Sequence, residues 1–328
     1  MPNNINDNIV LSSKVSLKRN IKSYPFEEKM STAQKCELLT NMMQYISLRS
    51  RLLNSKLIYK DAALISENEL ARLIEKNILN EKNKENNEGV GVFFDKSENL
   101  SILINSDSHI EIKSNLWGDN LKDAYNKVVY YDDVICAELP LAFNDEYGYL
   151  FSDIYKCGTG FEASACLHLP CLEYTEELKS YAENMRMFGI LIGNIRKSDS
   201  VYEIKNVLTA GISEEESIEN LEKVIYTLVN GELSERNFLK NDEVMTNSIK
   251  EAVFLLKNAM SISYDEFLKC VSFVRIGLSI GLLSGIDKYE LNKYTDSLSD
   301  AAIKESYKTE EVSERRAKLV KSIFEKVN

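Results

Sequence analysis

Gly91-Val92-Phe93-Phe94, a polar turn over Asp95–Asn99, and then Leu100-Ser101-Ile102-Leu103-Ile104 form the stretch that decides the fold. Two short runs rich in β-branched and aromatic residues, separated by turn formers, read as adjacent strands. His109-Ile110-Glu111-Ile112-Lys113 alternates in polarity and reads as a third. On the N-terminal side the period is helical. Leu38, Leu39, Met42, Met43, Ile46 and Leu48 recur at helical intervals within 28–55, and Ser66 with Glu69 opens a helix over 66–80. On the C-terminal side, 119–138 is helical, with Leu121, Ala124, Tyr125 and Val128 on one face, and strands return around 149–155 and 201–210. Ser213 with Glu216 opens a long helix to about Leu239. Beyond Asn241 the spacing predicts helices at 244–259, 263–283, 288–305 and 309–327, with a turn at Gly285-Ile286-Asp287. Helices, a strand-rich centre and an all-helical tail define an α+β chain with a separate helical domain. The predicted division is a disordered 1–10, a mixed domain over 11–240 and a helical domain over 241–328.

Composition narrows the function. A chain of 328 residues supports a full core and two domains. A hydrophobic share of 44% and a charged share of 28% suit an ordinary soluble protein. The net charge of −11 argues against a nucleic-acid partner, which calls for a basic face. No run approaches the ~20 apolar residues that span a bilayer, so no membrane role is expected. The start, Met1 to Asp7, is polar and lacks an apolar signal region, so the expected location is the cytoplasm. Six scattered cysteines read as reduced thiols. Cys166, His168 and Cys171 lack the spacing of a zinc knuckle, and no metal site is expected.

Three motifs carry a resemblance. They are Ala142-Phe143-Asn144-Asp145-Glu146-Tyr147-Gly148-Tyr149-Leu150, Gly158-Thr159-Gly160 and His168-Leu169-Pro170. Together they resemble the catalytic core of the ATP:guanido phosphotransferases, and most of all the bacterial protein arginine kinase (McsB-like) branch. The resemblance extends over roughly 11–328. It implies an antiparallel sheet flanked by helices, the guanido-kinase fold, followed by a helical C-terminal domain. Ser12-Ser13-Lys14-Val15-Ser16-Leu17-Lys18-Arg19-Asn20 is similar to the family's Ser-Ser-Arg-Val-Arg-Leu-Ala-Arg-Asn, whose first two arginines hold ATP phosphates. Asn105-Ser106-Asp107-Ser108-His109-Ile110-Glu111 is similar to Asn-Glu-Glu-Asp-His-Ile/Leu-Arg. There the second glutamate orients and deprotonates the guanidinium, and the arginine binds nucleotide.

The charged positions depart from that pattern. The phosphate arginines are Lys14 and Ser16. Lysine keeps the charge and loses the bidentate fork, while serine loses both. The guanidinium acid is Asp107, one methylene shorter. Two nucleotide arginines are Glu111 and Glu162, and the reactive cysteine position is Asp153. Only Ile190 to Ser200 stands where the family carries a longer glycine-rich loop. Opposite charges ~5 Å apart attract by about 3 kcal/mol at an effective dielectric near 20, so each Arg-to-Glu change turns attraction into repulsion. A lone glutamate in a strand is ordinarily a solvated face. Here the changes coincide with the family's charged functional positions while its structural residues persist.

These departures predict a catalytically inactive relative, a pseudokinase with ATP and magnesium binding lost. It would act as a scaffold or regulator, paired as a homo- or heterodimer, with a protein partner such as an active arginine kinase or its quality-control partners. They also predict that Glu111 and Glu162 form ion pairs with Lys14 or Arg19. The alternative is a divergent ATP-dependent phosphotransferase, with Asp107 or Asp153 as base and Lys14, Lys156 or Arg196 holding phosphates. A third reading is a phosphoarginine-binding module. Val312-Ser313-Glu314-Arg315-Arg316-Ala317 keeps only Arg316 and Ala317 of the family's Arg-Asp-x-x-Arg-Ala, which leaves Arg316 as the possible contact.

Overall fold

The computed structural model describes residues 9–53 and 56–328. In chain order the elements are β1 (Val10–Arg19), α1 (Thr32–Arg49), β2 (Leu57–Asp61), α2 (Glu67–Glu75), β3 (Gly91–Asp95), β4 (Leu100–Ile104) and β5 (Ile110–Trp117). Next come α3 (Leu121–Cys136), β6 (Phe143–Asn144), β7 (Gly148–Tyr149), β8 (Phe161–His168), α4 (Pro170–Tyr174), α5 (Glu177–Arg186), β9 (Ile190–Arg196) and β10 (Val201–Asn206). The rest is helical: α6 (Glu214–Phe238), α7 (Glu243–Asn258), α8 (Tyr264–Ser279), α9 (Lys288–Ser297), α10 (Asp300–Tyr307) and α11 (Val312–Phe324). The architecture is an antiparallel sheet flanked by helices and followed by an all-helical region. No described helix is long and apolar enough to cross a membrane.

The chain divides into two compact units that interleave in sequence. One comprises 12–164 and 205–222. Its sheet runs β2-β3-β4-β5-β1 and continues into β8. β3 pairs with β4, β4 with β5 and β5 with β1, all antiparallel. β3 and β4 are buried along their whole length because both faces are covered. On one face Val92, Phe94 and Leu103 pack against Leu70 and Leu73 of α2 and against Ile78 and Leu79. α2 is held at its start by the Ser66 hydroxyl, which accepts from the Glu69 N–H. α3 packs along β5, and α1 against α3.

The other unit comprises 9–11, 165–204 and 223–328. Its core joins Phe267, Val271 and Val274 of α8 to Leu291, Ile303, Val320 and Phe324. The capping box of Ser263 and Glu266 opens α8 as expected. Gly285 has φ +96, and a Cβ there would lie 2.1 Å from the Lys326 carbonyl oxygen. Reciprocal backbone bonds between Ser284 and Asn328 hold the two segments at that distance. The expected turn therefore requires glycine.

Several expectations shift. The strand expected over 149–155 shrinks to Gly148–Tyr149, and 154–156 is a short 3-10 turn. The Asp153 carboxylate accepts from the Tyr155 N–H and bends the chain there. The helix expected over 288–305 breaks at Ser299, whose hydroxyl accepts from the Ala302 N–H and starts α10. The disorder expected over 1–10 falls largely on residues 1–8, outside the described residues, as does the signal-free start. Ile9 and Val10 are fully buried.

Candidate functional site

Strand parity puts Lys14, Ser16 and Lys18 on one face of β1. The antiparallel register sets Lys14 opposite Asn115, Ser16 opposite Lys113 and Lys18 opposite Glu111. Directly opposed residues share a face, so β1 and β5 together build a patch of alternating charge. Lys18 Nζ lies 2.8 Å from Glu162 Oε1 and 3.7 Å from Asp107 Oδ2. Lys82 Nζ lies 3.1 Å from Asp107 Oδ1 and donates to the Ser106 carbonyl at 2.7 Å. The Asn80 amide is shared among Glu111 Oε2 at 2.9 Å, Ser106 Oγ at 2.9 Å and Asp107 Oδ2 at 3.1 Å. Its carbonyl accepts from Lys113 Nζ at 2.8 Å. Asn80 stands at the end of the helix expected over 66–80 and Lys82 just beyond it, and neither is among the site candidates read from sequence.

The electrostatics follow from this packing. Burial alone would lower the Lys18 pKa, but Glu111, Glu162 and Asp107 together raise it well above the ordinary lysine range. Burial pushes the Asp107 carboxyl up, and Lys18, Lys82 and Lys113 outweigh it, so Asp107 stays ionised more readily than a free aspartate. Lys113 is completely enclosed, and there desolvation wins. Its ammonium is pulled down to about 8, against the opposing pull of Glu111. Sequence reasoning missed this lysine that titrates near neutral pH. The alternation over His109–Lys113 carries the signal, since it places Lys113 beside Glu111, two residues along the same face.

The other sequence candidates are placed as follows. Asp153 and Lys156 are exposed on the 154–156 turn. Arg196 pairs with Asp199 at 2.8 Å at the end of β9. Of the two expected ion pairs, one forms and with a different cation, while Glu111 accepts from the Asn80 amide instead. Glu162 pairs with Lys18, not with Lys14 or Arg19, because parity turns Arg19 to the opposite face. There its Nη2 meets Asp132 at 2.7 Å and its guanidinium lies 3.8 Å over the Tyr149 ring. A four-residue turn, Lys197–Ser200, joins β9 to β10 at the place where the family carries its longer loop. Arg316 is fully buried. Its Nε donates to the Leu298 carbonyl at 2.8 Å, Nη1 to that of Ile262 at 2.9 Å, and Nη2 to Asp300.

His168 lies in a sealed cluster. Its Nε2 is 2.8 Å from Ser272 Oγ, and its Nδ1 accepts from Arg236 Nη2 at 2.9 Å. Arg236 Nε donates to Glu232 at 2.7 Å, and Glu232 accepts the backbone N–H groups of Cys171 and Leu172. Burial first, then Arg236, hold the imidazole well below its usual pKa, so it is neutral. Among the described residues no group of three or more His, Cys, Asp or Glu is gathered to hold a metal ion.

A family model described as ATP:guanido phosphotransferase, C-terminal catalytic domain, matches residues 20–235. The chain belongs to the ATP:guanido phosphotransferase family. A protein-arginine kinase of Clostridium tetani is 30% identical over 329 residues, covering 96% of this chain and 95% of the relative. One from Clostridium acetobutylicum is 28% identical, covering 98% and 96%. Among solved structures, the duplicated taurocyamine kinase of Schistosoma mansoni with bound transition-state analogue components aligns with a TM-score of 0.60 at 19% identity. That alignment covers 79% of this chain and 40% of that chain. A lombricine kinase aligns with a TM-score of 0.60 at 18% identity, covering 69% and 66%. At such identities the structural likeness carries the fold alone.

These findings place the chain in the protein arginine kinase branch and overturn three expectations. Near-full-length likeness to proteins named protein-arginine kinases, with the catalytic-domain match, points to an enzyme and not to an inactive scaffold or regulator. The expected loss of ATP and magnesium falls with it. The physical flaw lies in the charge count. It weighs each arginine position separately and leaves out the two lysines that this chain places on the same face, Lys18 and Lys113.

Proposed function

We propose that this chain is an ATP-dependent phosphotransferase acting on the guanidinium of arginine side chains in proteins, through a site whose cations have moved from arginines to neighbouring lysines. The observation that carries this reading is the register of β1 against β5. Where the family pattern has arginine at position 16 and alanine at 18, this chain has Ser16 with Lys113 directly opposite, and Lys18 two residues on. The cationic charge is redistributed along one face. Asp107, ionised and flanked by Lys18 and Lys82, is placed to orient a guanidinium and accept its proton. Lys14 and Lys113 are the groups for phosphate, acting as point charges and not as forks. Lys18 holds Asp107 and Glu162 in place.

Lys14 and Lys113 would hold the phosphates of a nucleotide that brings its own magnesium. Bound there, that magnesium would neutralise charge on the phosphoryl group being moved. The balanced reaction moves the γ-phosphoryl group of ATP to a guanidinium nitrogen, which gives up one proton, and ADP leaves. The test is to incubate the purified chain with γ-labelled ATP, magnesium and an arginine-rich protein, and to look for acid-labile label on arginine. Transfer that disappears in Asp107→Asn supports the reading. Absence of both transfer and Mg-ATP binding heat at millimolar nucleotide overturns it.

A further inference from the structure

A cavity of about 390 Å³, separate from the charged face, opens in the unit formed by 12–164 and 205–222. Its walls include Phe143, Tyr147, Tyr149 and Ile154, and its carboxylates are Glu146 and Glu214. Among the described residues no lysine or arginine lines it. Phe143 and Tyr147 are about half exposed. The Phe143 and Tyr149 rings stand edge to face, 5.2 Å apart.

The floor is rigid backbone. A Cβ at Gly148 would lie 2.4 Å from the Gly158 carbonyl oxygen, and one at Gly158 would lie 2.0 Å from that of Thr209. Both glycines have positive φ, so the three segments close on one another only because no side chain intervenes. Glu214 is half-buried at the start of α6 and accepts from Tyr125 Oη at 2.8 Å. Arg19 lies over Tyr149 and is neutralised by Asp132, so the protein already uses one face of this ring to carry a guanidinium.

We infer that this cavity is a recognition site for a cationic side chain, an arginine presented by a partner polypeptide, held between the aromatic walls and the Glu146 and Glu214 carboxylates. Aromatic faces attract a guanidinium through the ring quadrupole, and carboxylates add the matching charge. The cavity shares none of its lining with Lys18, Asp107, Glu111 or Lys113. The inference therefore stands apart from the phosphotransfer reading, and a protein without transfer activity would still bind here.

The test titrates the full chain with the peptide acetyl-Gly-Arg-Gly-amide and with its citrulline counterpart, followed by NMR. Citrulline keeps the shape and removes the charge. The arginine peptide should bind about tenfold more tightly than the citrulline peptide. Glu214→Gln and, independently, the exposed Tyr147→Ala should each weaken arginine binding by about three- to tenfold with the circular dichroism spectrum unchanged. Asp107→Asn should leave it unaltered. Equal affinity for the two peptides, or no binding of either at millimolar concentration, overturns the proposal. So does binding that Asp107→Asn removes and Glu214→Gln leaves intact, which would place the peptide at the transfer site.

Discussion

The charged face of β1 and β5 and the His168–Arg236–Glu232 cluster use the same materials in opposite ways. In the cluster, Glu232 is inaccessible to solvent, and its oxygens are bonded to one guanidinium and two backbone N–H groups. His168 is kept neutral by burial and by Arg236. A cluster so closed to solvent positions α4 against α6, with Arg236 Nη1 its one buried donor left without a partner among the described residues. On the sheet face, Lys18 is shared between two carboxylates, Asp107 between two lysines, and Asn80 among three acceptors, while Glu162 and Asp107 reach solvent. Shared and partly exposed charge can be rearranged by an incoming ion, whereas sealed pairs cannot. Solvent access and the sharing of partners, more than the presence of charge, separate working groups from structural ones.

The largest effect that would test this contrast is on stability. Glu232→Ala leaves Arg236 charged and buried beside a neutral histidine. It should cost about 3–5 kcal/mol in a urea unfolding experiment, the usual result of breaking a buried pair from one side. A loss under about 1 kcal/mol would mean that the cluster is not the sealed element described. On the other face the matching change should act on chemistry instead. Asp107→Asn removes the proposed acceptor of the guanidinium proton and should lower phosphotransfer by about 10²–10³-fold, with less than about 1 kcal/mol lost on unfolding. A variant that loses several kcal/mol of stability yet, while folded, transfers at the original rate would reverse the assignments.

Lys18→Met sits between these cases. It removes the cation that Glu162 and Asp107 share and leaves Glu111 facing them without it. Glu162 is half exposed and water screens it, so the expected loss is about 2 kcal/mol and not the full cost of a sealed pair. Asp107 should then titrate closer to an ordinary aspartate, because its strongest opposing charge is gone. Carbon-detected NMR titration of the Asp107 carboxyl checks this. An unchanged titration would show that Lys82 and Lys113 set it without Lys18.

Much of this is readable in the residues. β4 lies where the run Leu100–Ile104 puts it, and the serines at 66 and 263 start their helices. Two strands of the site, β1 and β8, are absent from the elements expected, although their signal is present. Lys14-Val15-Ser16-Leu17-Lys18 alternates strictly, as do Phe161, Ala163, Ala165 and Leu167 with Glu162, Ser164, Cys166 and His168. That alternation by itself suffices to place Lys18 on the face of Lys14 and Ser16. Register is not readable. Nothing local says that Ser16 meets Lys113 or that Asn80 reaches Glu111, since these depend on which strands pair and by how much they are offset. The fate of His168 is tertiary in the same sense, because Ser272 and Arg236 come from distant helices.

The smallest effect is the one that would locate the boundary between the two kinds of charge. Lys113 is as buried as Glu232, yet it belongs to the sheet face and is bonded to one amide oxygen. Its pKa in the folded chain is pulled down to about 8, below the ordinary lysine value near 10.4 that the unfolded chain retains. Between those limits the unfolded chain binds the extra proton, so unfolding takes one up. Stability therefore rises with pH across this window, by at most about 1.4 kcal/mol per pH unit for one proton. Tyrosines whose pKa values are raised by burial, Tyr59 and Tyr202 to about 12, act in the opposite sense above pH ~10. The clean measurement is thus the difference between the parent chain and Lys113→Met from about pH 7.5 to 9.5. The parent should gain stability relative to the variant as pH rises, and, with Lys113 in its proposed phosphate role, its transfer rate should fall over the same interval as the ammonium loses its proton. Parallel stability curves would mean that Lys113 stays charged when buried. It would then belong with the sealed charges, not with the site.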